Sequence, residues 1–126
     1  MEKKKILVVD DELDCLEAIK QRLEAKNYLV VVTSKAKEVF PTAEREAPDL
    51  ILLDIVMPDM NGYEICELLK QGNKTRDIPI ILLTGESLEP RSITKRCLKL
   101  GADSFILKPI DIEILFSKIK ELLKEE

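Results

Sequence analysis

Five short apolar runs, each followed by a stretch of helical character, constrain this chain more than any other feature. The runs are Ile6 to Val9, Leu29 to Val32, Leu50 to Leu53, Ile80 to Leu83 and Phe105 to Leu107. Each is too short for a helix and rich in Ile, Leu and Val without alternation, which is the pattern of a strand buried on both faces. Between and after the runs, apolar residues return at helical spacing: Leu13, Leu16, Ile19 and Leu23, then Ile65 and Leu69, then Ile93, Cys97 and Leu100, and finally Ile112, Leu115, Ile119 and Leu122. Pro90 suits the first turn of the fourth helix, Gly101 its C-terminal cap, and Asp111 the start of the fifth. Pro41 falls inside the second helix, about residues 35 to 46, and predicts a kink or a late start there.

Strand and helix alternating five times imply an α/β fold: a doubly wound, five-stranded parallel sheet with right-handed crossovers and helices on both faces, three layers in all. The usual order for five such units is 2-1-3-4-5, with ligands at the carboxyl ends of the strands, near the switch between the first and third. A chain of 126 residues is long enough for one domain. It can bury a core without help from a disulfide or a metal.

Composition removes several function classes. Apolar residues make up 45% and charged residues 35% of the chain, an ordinary globular balance, and no apolar run approaches the length of a membrane-spanning helix. The N-terminal MEKKKILVVDDE has only four apolar residues after its lysines, so it does not read as a signal peptide. Cys15, Cys66 and Cys97 are widely spaced and lie in helix-like patterns, as small buried thiols of a reducing cytoplasm do, and a cytoplasmic location is expected. A net charge of -4 without tryptophan argues against a nucleic-acid surface. The absence of histidine excludes Ser/His/Asp catalysis, histidine-ligated zinc and a role as phosphohistidine donor.

The polar residues after the runs are more telling. Asp10 and Asp11 follow the first run, Asp54 the third, Thr84 the fourth and Lys108 the fifth. In a parallel sheet these ends share one edge, so three carboxylates, a hydroxyl and an ammonium meet in one shallow crevice. Singly, Asp11 could cap a helix, Thr84 could be a loop residue and Lys108 a solvated charge. Together they resist that account, because carboxylates this close raise one another's pKa unless a cation sits among them. All-oxygen ligation with room for water suits Mg²⁺, or Mn²⁺ in its place.

The acid pair in VVDDE, the segment LLDIVMPDMNG, and the stretches ILLTG and FILKP together resemble the receiver domain of two-component response regulators, the flavodoxin-like family of the chemotaxis regulator. The resemblance covers the whole chain and implies one receiver domain over residues 1–126. It implies that Asp54 is the phosphoacceptor, supplied by a phosphohistidine on a sensor histidine kinase or phosphotransfer protein. It further implies that Asp11, Asp54 and the backbone carbonyl of Val56 hold Mg²⁺, that Asp10 acts largely through water, and that Lys108 pairs with the phosphoryl oxygens. In-line phosphoryl transfer needs a positioned nucleophile and neutralised equatorial charge, which agrees. Pro58 would stiffen the turn after the acceptor and Gly62 would take a backbone conformation closed to other residues. By the same resemblance the Lys108 to Pro109 bond is cis, and Thr84, Gly85 and Phe105 join Lys108 in binding the phosphoryl group and switching.

The output surface implied is the fourth helix, fifth strand and fifth helix, about Arg91 to Leu100, Asp103 to Leu107 and Ile112 to Lys124, serving a downstream partner, an effector domain or a homodimer. Ile114 and Phe116 exceed what one sheet face needs to pack. Arg91, Lys95, Arg96 and Lys99 read as a solvated face. Val56 and Glu86 would flank the water that hydrolyses the aspartyl phosphate. Two enzyme-like or ligand-binding readings fall away: DDELD would repel a flavin phosphate, and Val56 stands where a haloacid dehalogenase phosphatase needs a second acid. The chain is therefore expected to be a signalling domain that catalyses only its own phosphorylation and dephosphorylation. A receiver-like docking module that works without phosphate is the competing reading. The chain stops soon after the last helix, so it reads either as a stand-alone regulator or as part of a longer protein.

Overall fold

The computed structural model describes residues 3–55, 57–59, 62–85 and 88–125, apart from the side chains of residues 88–91 and 93. Strands β1 (Lys5–Val9), β2 (Leu29–Thr33), β3 (Leu50–Asp54), β4 (Ile80–Thr84) and β5 (Ser104–Leu107) alternate with helices α1 (Leu13–Ala25), α2 (Ala36–Glu46), α3 (Gly62–Gln71), α4 (Leu88–Leu100) and α5 (Ile112–Leu123). The strands form one parallel sheet in the order β2-β1-β3-β4-β5. This is the expected order.

Because side chains alternate along a strand, each run feeds two cores. Leu7, Val9, Ile51, Leu53, Ile80 and Leu82 face α2, α3 and α4, with Val39, Ile65, Leu69 and Cys97 against them. Ile6, Val8, Leu50, Leu52, Ile81 and Leu83 face α1 and α5, against Leu16, Ile19, Leu23, Leu115 and Ile119. β1, β3 and β4 are buried on both faces. β2 and β5 are not: Leu29, Val32, Phe105 and Leu107 are all exposed. The reason is position, since edge strands are covered by helices along only part of their length.

Three further expectations need correcting. Leu13 is 67% exposed, because it opens α1 ahead of the stretch carrying Leu16, Ile19 and Leu23. Phe116 is buried in the core rather than spare surface, whereas Ile114 is exposed. α2 begins at Ala36 and runs through Pro41 without a late start. The carbonyl of Lys37, which Pro41 cannot serve, belongs to an exposed residue, so the lost intrahelical bond need not leave a buried acceptor unsatisfied.

The caps at Gly101, at φ +116, and at Asp111, whose Oδ1 accepts from the Glu113 and Ile114 amides, match their sequence signals. Two carboxylates satisfy strand-start donors: Asp49 accepts from the Lys5 amide at 2.8 Å and Asp103 from the Ile80 amide at 2.9 Å. Among the described residues no helix is long and apolar enough to cross a membrane.

Candidate functional site

The parallel register brings the polar ends of β1, β3, β4 and β5 to one edge. Asp54 and Thr84 are the last residues of their strands rather than the first of the loops, since Asp54 pairs with Leu83 and Thr84 with Leu107. Rigid ladder pairing therefore fixes both backbones.

Asp10 is fully buried just past β1, and its Oδ1 accepts from the Glu12 amide at 2.9 Å. Its Oδ2 forms an ion pair with the Lys108 ammonium at 2.9 Å. Asp54 is 5% exposed, with Oδ2 at 3.5 Å from the same ammonium. Asp11 is open to solvent, and one carboxylate oxygen from each of Asp10, Asp11 and Asp54 lies within 4.8 Å of the others. Such a set fits a hard divalent cation: the donors are all oxygen, a single ammonium answers the charge of three carboxylates, and the exposed side leaves room for water. The cluster could hold a metal ion.

Lys108 reaches this cluster from the end of β5, anchored by its own amide, which donates to the Thr84 carbonyl at 2.6 Å. Burial opposes its charge, but contact with Asp10 and the negative field of Asp54 and Asp10, with Glu12 adding to it, outweigh that cost and raise its pKa above the ordinary lysine value. The peptide bond from Lys108 to Pro109 is cis.

Sequence reasoning passed over two neighbours of the cluster. Glu12 pairs with Lys108 at 3.3 Å, and the acid following the Asp pair was the available signal. Cys15, one turn into α1, sits beside Asp10. Burial and then contact with the Asp10 carboxylate push its thiol up to about 11, so it stays protonated and is no competing thiolate ligand.

Thr84 is buried at the same edge and Gly85, which follows it, is half-buried. Phe105 stands apart from both: it is 42% exposed on β5, which rules out a plain core aromatic. Val56 and Glu86, and the side chains of Pro90, Arg91 and Ile93, lie outside the described residues. Gly62 departs from expectation. It has no positive φ; instead a Cβ there would meet Ile55 Cα at 2.5 Å and Ile55 Cβ at 2.6 Å. Space, not backbone conformation, requires glycine beside the residue that follows Asp54.

Comparison with known proteins agrees with this geometry. Residues 6–120 match the family model described as response regulator receiver domain. The chain is 39% identical, over 97% of its own length and 49% of the relative's, to the probable transcriptional regulator ycf27 of Cyanophora paradoxa. A response regulator receiver domain protein (CheY-like) from Methanospirillum hungatei superposes with a TM-score of 0.88 at 37% identity, covering 98% of this chain and 95% of that one. The signal receiver domain of a signal transduction histidine kinase from Syntrophus aciditrophicus gives a TM-score of 0.85 at 39% identity, covering 96% and 90%. The chain spans between 26% and 50% of the length of the curated relatives it matches first. With residues 6–120 matching that family model and the sheet order shared with its solved relatives, the chain belongs to the receiver domains of two-component response regulators.

Proposed function

We propose that Asp54 accepts a phosphoryl group from a phosphohistidine carried by a sensor histidine kinase or a phosphotransfer protein. The observation that carries this reading is the convergence on one carboxylate: the Lys108 ammonium lies 3.5 Å from Asp54 and 2.9 Å from Asp10, with Asp10, Asp11 and Asp54 grouped tightly enough to share one cation. An Asp54 oxygen attacks phosphorus as the bond from phosphorus to the imidazole nitrogen breaks, and the electron pair of that bond leaves on the imidazole. No general base is needed, because the attacking carboxylate is already ionised. Lys108 then holds the phosphoryl oxygens in place of the Asp54 carboxylate it pairs with at rest. Mg²⁺, or Mn²⁺, held by Asp10, Asp11, Asp54 and the Val56 carbonyl, would neutralise charge on the transferring group.

Thr84 and Gly85 border the phosphoryl position, and the Thr84 hydroxyl would turn to bond it. Phe105 would then turn inward from its present exposed position and carry the change to the α4-β5-α5 face. That face already presents Phe105, Leu107 and Ile114 to solvent, a surface for a downstream protein, an effector domain or a second copy. On this reading residues 1–126 form one receiver domain that turns over no substrate beyond its own phosphoryl group. Incubation with Mg²⁺ and acetyl phosphate, followed by mass spectrometry, tests it. One added phosphoryl group that disappears in Asp54→Ala is expected; no adduct would leave the phosphate-free docking module standing.

A further inference from the structure

We propose that the opposite end of the sheet carries a second binding site, a lysine-lined cleft that takes a nucleoside polyphosphate. The cleft encloses about 470 Å³ between the segment leading into β1, the turn from α1 to β2, and α5. That volume lies within the range of roughly 300 to 1,000 Å³ common for small-molecule sites. Lys3, Lys4, Lys26 and Lys120 line it, against Glu113 and Glu125. A local excess of positive charge on a chain of net charge -4 is a concentrated feature, not an average one.

The kind of cation and the walls select the ligand. The four charges are all ammonium groups, compact point charges suited to phosphate, with no planar guanidinium to grip a carboxylate in two places. Tyr28 and Phe116, each 8% exposed, belong to the core and reach the cleft only by their edges, which gives it an apolar floor beneath the charged rim. Lys26 is held 5.3 Å from the centre of the Phe116 ring, which fixes one ammonium at the boundary between floor and rim. Glu125 is engaged by the Tyr28 hydroxyl, which donates to it at 2.6 Å. Glu113 remains as an acceptor suited to a sugar hydroxyl or a ring amine, neither of which inorganic phosphate offers.

From Lys4 to Asp10 the extended chain covers about 20 Å, so this site is separate from the acidic cluster and its reading stands or falls independently of Asp54. The test titrates the full chain, in chelator and without metal, with ATP, AMP and inorganic pyrophosphate, followed by calorimetry and amide chemical shifts. ATP should bind with shifts confined to residues 3–5, 26–29, 113–120 and Glu125. AMP should bind at least fivefold more weakly. The K26Q/K120Q variant should lose at least tenfold in ATP affinity while its phosphorylation by acetyl phosphate stays unchanged and its melting temperature falls by no more than about 4 °C, the loss of the Lys26 contact with Phe116. Equal ATP affinity in that variant, shifts centred on Asp10 and Asp54, or pyrophosphate binding as tightly as ATP would each overturn the proposal.

Discussion

Replacing Gly62 with alanine sets two effects against each other. Gly62 opens α3, where alanine normally gains about 1 kcal/mol in helix propensity and in reduced freedom of the unfolded chain. The new methyl, however, would stand 2.5 Å, 2.6 Å and 2.8 Å from Ile55 Cα, Cβ and Cγ2, when carbon atoms prefer about 3.5 to 4.0 Å. Ile55 cannot yield easily: it is fully buried, its amide donates to the Leu83 carbonyl at 3.2 Å, and its carbonyl accepts from the Gly62 amide at 2.7 Å. Three simultaneous contacts about 1 Å too short, two of them close to the main chain, put the cost near the top of the overpacking range, about 3 kcal/mol. The clash wins by about 2 kcal/mol, which lowers the melting temperature of a domain this size by roughly 7 °C. Thermal unfolding by circular dichroism measures it. Gly85→Ala is the internal control, because nothing lies within 4 Å of a Cβ there and its φ is not positive, and its melting temperature should stay within about 2 °C of the parent. Equal melting temperatures for Gly62→Ala and the parent protein would refute the steric account. Since Ile55 follows Asp54, the variant should also be phosphorylated more slowly.

Other consequences are open to direct measurement. Lys108→Met removes the cation from buried Asp10; a buried pair broken from one side costs about 3 to 5 kcal/mol, and residual solvent access at Lys108 reduces the expected loss in chelator to about 2 kcal/mol. Urea unfolding should show that loss, and Mg²⁺ should narrow it; a gap indifferent to Mg²⁺ would contradict metal binding by these acids. Burial, then the contact with Glu125, hold the Tyr28 phenol above its usual pKa, so its stabilisation is complete below about pH 10 and fades as pH rises through the higher folded value. Ultraviolet titration of the parent minus Tyr28→Phe should show a step above pH 10, and a step at the ordinary value would contradict it. Asp111→Ala deletes the α5 cap and should cost about 1 kcal/mol in the same urea experiment.

Much of the fold was legible because parallel strands buried on both faces leave uninterrupted runs such as LILL and IILL. The exposure of Leu29 and Phe105 was not, since a run of apolar residues does not say which strand ends up at an edge with half its cover missing. The polar cluster could be read because strand direction alone sends Asp10, Asp54, Thr84 and Lys108 to one side. Glu12 was hidden for the opposite reason: its place beside Lys108 depends on how the short turn after Asp10 is folded, and no periodic pattern encodes that. At Gly62 the residue was correctly singled out but for the wrong cause, because a close approach between segments seven positions apart leaves the same mark in a sequence as an unusual torsion. The lysines of the far cleft are scattered over residues 3 to 120, and only the sheet gathers them.

The ladder bond from the Lys108 amide to the Thr84 carbonyl joins the two outermost parts of the pocket through main chain alone. Any pull on Thr84 is thereby felt at the base of Lys108 without passing through a flexible side chain. On the proposed reading the hydroxyl and the ammonium would act as two jaws on one stiff hinge, so a mutation loosening either strand end should slacken the grip of both.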